Sequence, residues 1–210
     1  MRLLMVGPPG AGKGTQAARL ASRYGIAHLS SGELFRREVA SGTPIGREAA
    51  GYLARGDLVP DEVVIEMLLG PALAAARRGG YVLDGFPRTV RQAEEAYQVA
   101  RQVEGAELQA VVNLRVARPV LLARLRDRRG RETRGDDDES TSVHRLDVFD
   151  ALTAPLVEFY ARRGLVIDVD GNQPADGVFA EIVAAVAGSG PPATTTPPAT
   201  SRHEGALATP

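Results

Sequence analysis

From the first residue to about position 187, short apolar runs alternate with longer amphipathic segments. Parallel strands joined by crossover helices leave this rhythm in a sequence. The runs at 2–6, 81–83, 110–114 and 165–169 read as strands, with a shorter one at 27–29. Stretches such as VVNL and YVL are continuously apolar instead of alternating, as expected of strands covered on both faces. Between them helices are expected over 13–23, 32–40, 61–77, 90–101, 119–128, 142–162 and 174–187. Asp61 after Pro60, and Pro119 in a first turn, are ordinary helix starts. The expected architecture is α/β: one five-stranded parallel sheet between helical layers, three layers in all. No internal repeat is visible.

The rhythm stops near Gly188. Beyond it five of the chain's 14 prolines fall in a Pro/Thr/Ala-rich stretch without apolar periodicity, so 188–210 reads as a passive disordered tail. The patterned body, 1–187, suits a single domain with a sizeable core. Composition then removes several function classes. A net charge of -1 offers no general attraction to nucleic acid, so any phosphate affinity must be local. Zero Cys excludes a disulfide framework, a thiol nucleophile and cysteine-ligated zinc. No apolar run approaches the roughly 18 residues that span a bilayer, and MRLLMVGPPG is too short for a signal peptide. A cytoplasmic monomer is expected, with neither nucleic acid nor membrane as partner.

One oddity of composition points at chemistry. Of 25 basic residues 24 are arginine, and the only lysine is Lys13. It lies in GPPGAGKGT, residues 7–15, between the first strand and the first helix. Glycines there let the backbone turn tightly and aim successive N–H groups inward, while the helix start adds its positive dipole end. Together they form an anion nest for a nucleoside triphosphate, the signature of a P-loop NTPase-type fold. Lys13 is the mobile point charge for the β- and γ-phosphates, a task for which a compact ammonium suits better than a planar fork. A ligand-free Gly-rich turn is the plain alternative. Position 14 is Gly where the general pattern has Ser or Thr, and the hydroxyl arrives at Thr15, which puts a direct hydroxyl ligand to Mg²⁺ in doubt. Asp84, ending the strand YVLD, is placed to hold Mg²⁺ through its water shell.

The arginines argue for two phosphorylated substrates. Arg36 lies in SSGELFRREV, Arg88 in DGFPR, and Arg128, Arg134 and Arg145 surround a Gly- and Asp-rich stretch. That is many guanidinium groups for one triphosphate, but a natural number where a transferring group is surrounded by positive charge. His28, His144 and His203 lack catalytic context and read as structural or surface residues.

GPPGAGKGTQ, SSGELFRREV, GDLVPDEV, LDGFPRTVRQAE and a short arginine-aspartate segment, in register over 1–187, resemble the adenylate kinases of the nucleoside monophosphate kinase group. The resemblance implies a P-loop core with two mobile insertions, one binding the monophosphate (about 30–59) and a short lid (about 127–137). It also implies the reaction ATP + AMP ⇌ 2 ADP with Mg²⁺. By matched motif, Gly10, Ala11, Gly12, Lys13, Gly14 and Thr15 would cradle the ATP phosphates, with Arg128 near the adenine and the backbone of Gln173 meeting the same base. Ser31, Arg36, Asp57, Leu58, Val59, Gly85, Phe86, Pro87, Arg88 and Gln92 would line the AMP site. Arg134 and Arg145 would bridge the phosphates across the closed cleft, so that Lys13, Arg88, Arg134 and Arg145 carry the transfer. A side-chain amide at Gln92 can pair with the N6/N7-type edge of adenine. Uridylate/cytidylate kinases place Asn where this chain has Thr89, so AMP is favoured over UMP or CMP.

The chain departs from the family pattern in several places. Ser31 stands where Thr is common and Phe149 where Tyr is common, and the lid lacks a long hairpin and zinc ligands, so no structural zinc is expected. Arg129 and Arg131 crowd the alignment at Arg128. A hydrolysing P-loop NTPase would leave Arg36, Arg88 and Gln92 unexplained, and a non-catalytic sensor would not need Lys13, Asp84 and the lid arginines.

Overall fold

A computed structural model describes residues 1–129 and 139–188. Arg134, most of the expected lid and residues 189–210 lie outside that range, as does the side chain of Arg128. The order is β1 (Arg2–Val6), α1 (Lys13–Tyr24), β2 (Ala27–Ser30), α2 (Ser31–Ala40), α3 (Pro44–Arg55), α4 (Asp61–Arg77), β3 (Tyr81–Asp84) and α5 (Val90–Arg101). Then follow β4 (Ala110–Arg115), α6 (Arg118–Arg129), α7 (Glu139–Val148), α8 (Pro155–Ala161), β5 (Val166–Asp170) and α9 (Ala175–Gly188). The five strands form one sheet in the order β2-β3-β1-β4-β5, every pairing parallel. This is the expected fold class.

Alternation along β1 explains why its apolar run is unbroken. Leu4 and Val6 enter a core with Phe35, Leu68, Phe86, Leu156 and Tyr160, whereas Leu3 and Met5 enter another with Leu20, Leu121, Val169 and Ile182. Successive side chains of a strand point to opposite faces, so a strand between two helical layers needs apolar residues at every position. Because β3 and β4 flank β1, chain direction across the sheet reverses at the tip of β1. Crevices at such a switch point, beyond the carboxyl ends of the strands, are where open α/β sheets bind ligands.

Two elements differ from the sequence expectation. Helix α3 was not predicted, although Thr43 caps it by accepting from the Gly46 N–H at 3.0 Å, Pro44 opens it and Gly56 closes it. Its buried contacts, Gly46 and Ala49, are too small to register as an apolar stripe. A Cβ on Gly46 would sit 2.1 Å from the Glu38 carbonyl oxygen, so only glycine allows α2 and α3 to approach this closely. The helix expected over 142–162 is divided into α7, a wide π-helical turn at Phe149–Thr153, and α8, which begins at Pro155. Proline lacks the N–H that a continuing helix would use, and its ring opens a new first turn instead.

Candidate active site

At the tip of β1 the chain enters its glycine loop. Gly10 and Gly12 take φ of +84° and +93°, and Gly12, which caps α1, brings no side chain to the helix start. No side chain therefore caps the first N–H groups of α1, which stand at the positive end of the helix dipole. Lys13 folds back over the loop, its ammonium donating to the carbonyls of Gly7 at 2.6 Å and Pro8 at 3.0 Å. Those contacts hold the charge above the loop mouth, where Thr15 is exposed. Ala11, by contrast, is buried in the core and takes part through its backbone alone.

Asp84 ends β3 beside this loop, and a Cβ added to Gly14 would lie 3.3 Å from its Oδ2. The glycine that displaced the usual hydroxyl is thus what lets the acid stand against the loop. Among the described residues no cluster of three or more His, Cys, Asp or Glu could hold a metal by itself. A single carboxylate next to a phosphate nest suits a magnesium ion that arrives with its nucleotide, bound by phosphate oxygens and water. His28 on β2 places its buried Nε2 4.0 Å from Asp84 Oδ2, outside hydrogen-bond range, a proximity the sequence reading did not anticipate.

The loop opens into a cleft of about 580 Å³. Lys13, Thr15, Asp84, Arg36, Arg88 and Arg145 all line it, so the structure brings together acid, ammonium and three of the expected guanidinium groups. Arg124 of α6 lines it as well and was missed. Its spacing from Arg128, one helical turn, was the available signal. Burial pushes the Arg88 guanidinium below its usual pKa. Asp84 pulls it back up, while Arg145 and Arg36 add to the lowering. Like charges held this close to a partly buried arginine make a site that a multiply charged anion stabilises.

Opposite the glycine loop the cleft wall is built of side chains. Ser31 Oγ donates to the Gly85 carbonyl at 2.6 Å, and Arg88 Nε donates to the same oxygen at 2.8 Å. Gly85 has φ +79°, and a Cβ there would stand 2.6 Å from Ser31 Oγ and 2.9 Å from Arg88 Nη2. Only glycine permits both contacts. The Arg88 N–H donates to Gln92 Oε1 at 2.7 Å, and Gln92 Nε2 donates to Asp61 Oδ1 at 2.6 Å. Thr89 caps α5 by accepting from the Gln92 N–H at 3.1 Å, and its hydroxyl donates to Asp61 Oδ2 at 3.1 Å. Gln92 is 1% exposed, so this whole network is desolvated at its centre. It faces a hollow of about 30 Å³ shared with Ser31, Leu58, Val59 and Gly85, room for roughly one water. Pro87 lines the large cleft, whereas Phe86 is buried beneath it and Gln173 lies on the β5–α9 loop with its amide bonded to Glu181 at 2.5 Å. Asp57 reaches across to α7, accepting from His144 at 2.7 Å when that ring nitrogen carries the proton. The His144 contact, followed by Arg55, holds the Asp57 carboxyl below its usual pKa.

A parallel sheet with a glycine loop at its switch point, one ammonium over that loop and an arginine-lined second wall defines a P-loop phosphotransferase. The family model for adenylate kinase matches residues 5–165. An adenylate kinase of Nitrobacter winogradskyi is 44% identical over 198 residues, covering 91% of this chain and 96% of that protein. One from Kocuria rhizophila is 44% identical over 185 residues (88% and 98%), and one from Stenotrophomonas maltophilia 42% identical over 188 (90% and 100%). The chain belongs to the adenylate kinase family. It is an enzyme, a phosphotransferase of the reaction ATP + AMP = 2 ADP.

Proposed function

We propose that the glycine-loop side of the cleft holds ATP and the side-chain-built wall holds AMP, with transfer between them near Lys13 and Arg88. The observation that carries this reading is the partly buried Arg88 in the cleft that Asp84, Arg145 and Arg36 also line. A phosphate of AMP meeting that cluster is held facing the loop where the ATP γ-phosphate would lie.

The backbone of residues 10–15 positions the triphosphate and Lys13 follows its β- and γ-oxygens. An AMP phosphate oxygen attacks the γ-phosphorus as the bond to the β–γ bridging oxygen breaks. The attacking oxygen is already anionic, so no side chain has to act as a base. Arg36, Arg88, Arg134 and Arg145 meet the charge that spreads over the transferring group, and Arg124 stands on the ATP side with Arg128. Asp84 would hold a magnesium ion through its water shell, and that ion, bound with ATP, would offset phosphate charge. Ser31, the stretch Asp57, Leu58 and Val59, and Gln92 receive the adenosine of AMP, and the backbone of Gln173 meets the ATP base.

The segment 30–59 opens to let AMP reach the hollow beside Gln92. Closure of that segment and of a lid over 127–137 then keeps water from the γ-phosphate. In the described residues no helix is long and apolar enough to cross a membrane. The substrates are those of the cytoplasmic adenine nucleotide pool, and we place a monomeric enzyme there.

The test is a coupled assay with ATP and each nucleoside monophosphate in turn. AMP is expected to be phosphorylated far faster than UMP, CMP or GMP, and equal use of all four would overturn the base assignment. Gln92→Leu is expected to raise the KM for AMP by about tenfold or more while the KM for ATP moves little; equal effects on both would remove Gln92 from the AMP side.

A further inference from the structure

The structure assigns a positioning role to Asp61: its carboxylate fixes which end of the Gln92 amide is presented to the monophosphate's base, and so opposes 6-oxopurines. This rests on the reading of Gln92 as the residue that meets the AMP base.

An amide side chain can be turned end for end at little cost unless its partners forbid it. Here they do. A carboxylate only accepts, so the Gln92 end at 2.6 Å from Asp61 Oδ1 must be the NH₂ group. A backbone N–H only donates, so the end at 2.7 Å from the Arg88 nitrogen must be the oxygen. Turning the amide would set donor against donor and acceptor against acceptor, in a place where 1% exposure keeps bulk water from relieving either. Asp61 is itself held, since its second oxygen accepts from Thr89 Oγ1 at 3.1 Å. The arrangement spans 31 positions from the start of α4 to α5 and leaves one Nε2–H and one Oε1 lone pair for a ligand.

That remaining pair has a fixed sense. Adenine sets its 6-amino donor beside a ring-nitrogen acceptor, which complements an oxygen and an NH₂ in this order. A 6-oxopurine puts an acceptor where adenine has its amino group, so it would face Oε1 oxygen to oxygen. On the N1 edge, where a 6-oxopurine carries an N–H beside its oxygen, only a turned amide would serve it, and Asp61 opposes the turn; on the N7 edge neither sense of the amide would. The Arg88 N–H belongs to the backbone and persists in any variant, which makes Asp61 the removable half of the clamp.

The test compares AMP with inosine monophosphate, which differs only at the 6-position and the proton on N1, as acceptors from ATP. For Asp61→Ala the ratio of kcat/KM for AMP over inosine monophosphate is expected to fall by about tenfold, the KM for AMP rising more than kcat falls. Asp61→Asn keeps an oxygen for Gln92 Nε2 and turns its NH₂ to Thr89 Oγ1, so it is expected to restore most of the lost ratio. A merely structural Asp61 would lower both acceptors alike and leave the ratio within about twofold of the parent; that result overturns the inference. Should the alanine variant melt early, Asp61→Ser removes the carboxylate while keeping a polar first-turn residue, and the same ratio decides. Gln92→Leu separates the two levels. If it leaves the KM for AMP unmoved, the reading of Gln92 has failed; if it raises that KM while Asp61→Ala keeps the ratio, only the role of Asp61 has failed.

Discussion

The two walls of the cleft are made of different material. On the glycine-loop side the groups assigned to anion binding are backbone N–H donors at a helix start, and Lys13 is tethered by two carbonyls of the same loop. On the opposite side the groups are side chains that hold one another: Ser31 and Arg88 on Gly85, Gln92 on Arg88 and Asp61, Thr89 on Asp61. A backbone nest loses little when one neighbour changes, and it binds phosphate without reading a base. A side-chain network discriminates, because each donor and acceptor has a set place, and it is fragile for the same reason. On the proposed assignment, secondary structure supplies the phosphate nest, and tertiary contacts supply both the base-reading side chains and the arginines that meet the transferring charge.

The contrast can be broken most sharply at Lys13. Lys13→Met is expected to lower kcat by on the order of a hundredfold or more with little change in Tm, since it removes a transition-state charge but no packing. Lys13→Arg should fold normally and fail likewise, and full activity in that variant would reduce the lone lysine to a coincidence of composition. Gly85→Ala probes the other wall. Its Cβ would crowd Ser31 and Arg88 and impose a strained positive φ, for a cost of about 1–3 kcal/mol, a Tm lower by several degrees and a raised KM for AMP. Unaltered Tm and KM would show that the network relaxes around the change.

The smallest effect is expected at the exposed Asp57–His144 pair. The folded state lowers the Asp57 pKa, so the pair's contribution to stability is present above the ordinary carboxylate value of 3.8 and is lost as pH falls through the lowered one. His144→Ala should therefore lower Tm slightly at neutral pH, by an amount that shrinks with added salt and disappears in acid. An identical Tm difference at every pH would rule out that pairing.

Most of the glycine-loop wall, assigned here to ATP, was legible because it is local. Strand, glycine loop, lysine and helix follow one another within 24 residues, and the strand end at Asp84 is marked by its own apolar run. The side-chain wall, assigned here to AMP, was only half legible. Gln92 and Thr89 could be picked out by motif, but Asp61 read merely as a helix start, since nothing in the spacing says that α4 and α5 set these two side chains together. Arg124 was lost among 24 arginines until α6 turned it into the cleft. The His144–Asp57 contact joins residues 87 positions apart, which no local pattern carries.

Proline draws the line between the two kinds of information. Pro71 lies inside α4 and Pro155 begins α8, and the apolar pattern carries an expected helix through both prolines although residue type disfavours each. α4 continues through Pro71 because Val64, Leu68, Ala72 and Ala75 are buried on both sides of it, while at Pro155 the chain widens into a π turn and starts again. By itself the sequence determined the order of strands and helices, the phosphate loop and the residue types each wall would use, since those depend on neighbours in the chain. Which proline a helix ran through, which way the Gln92 amide was held and which arginines met in the cleft were decided by tertiary structure. Those outcomes depend on burial and on partners brought together from distant positions.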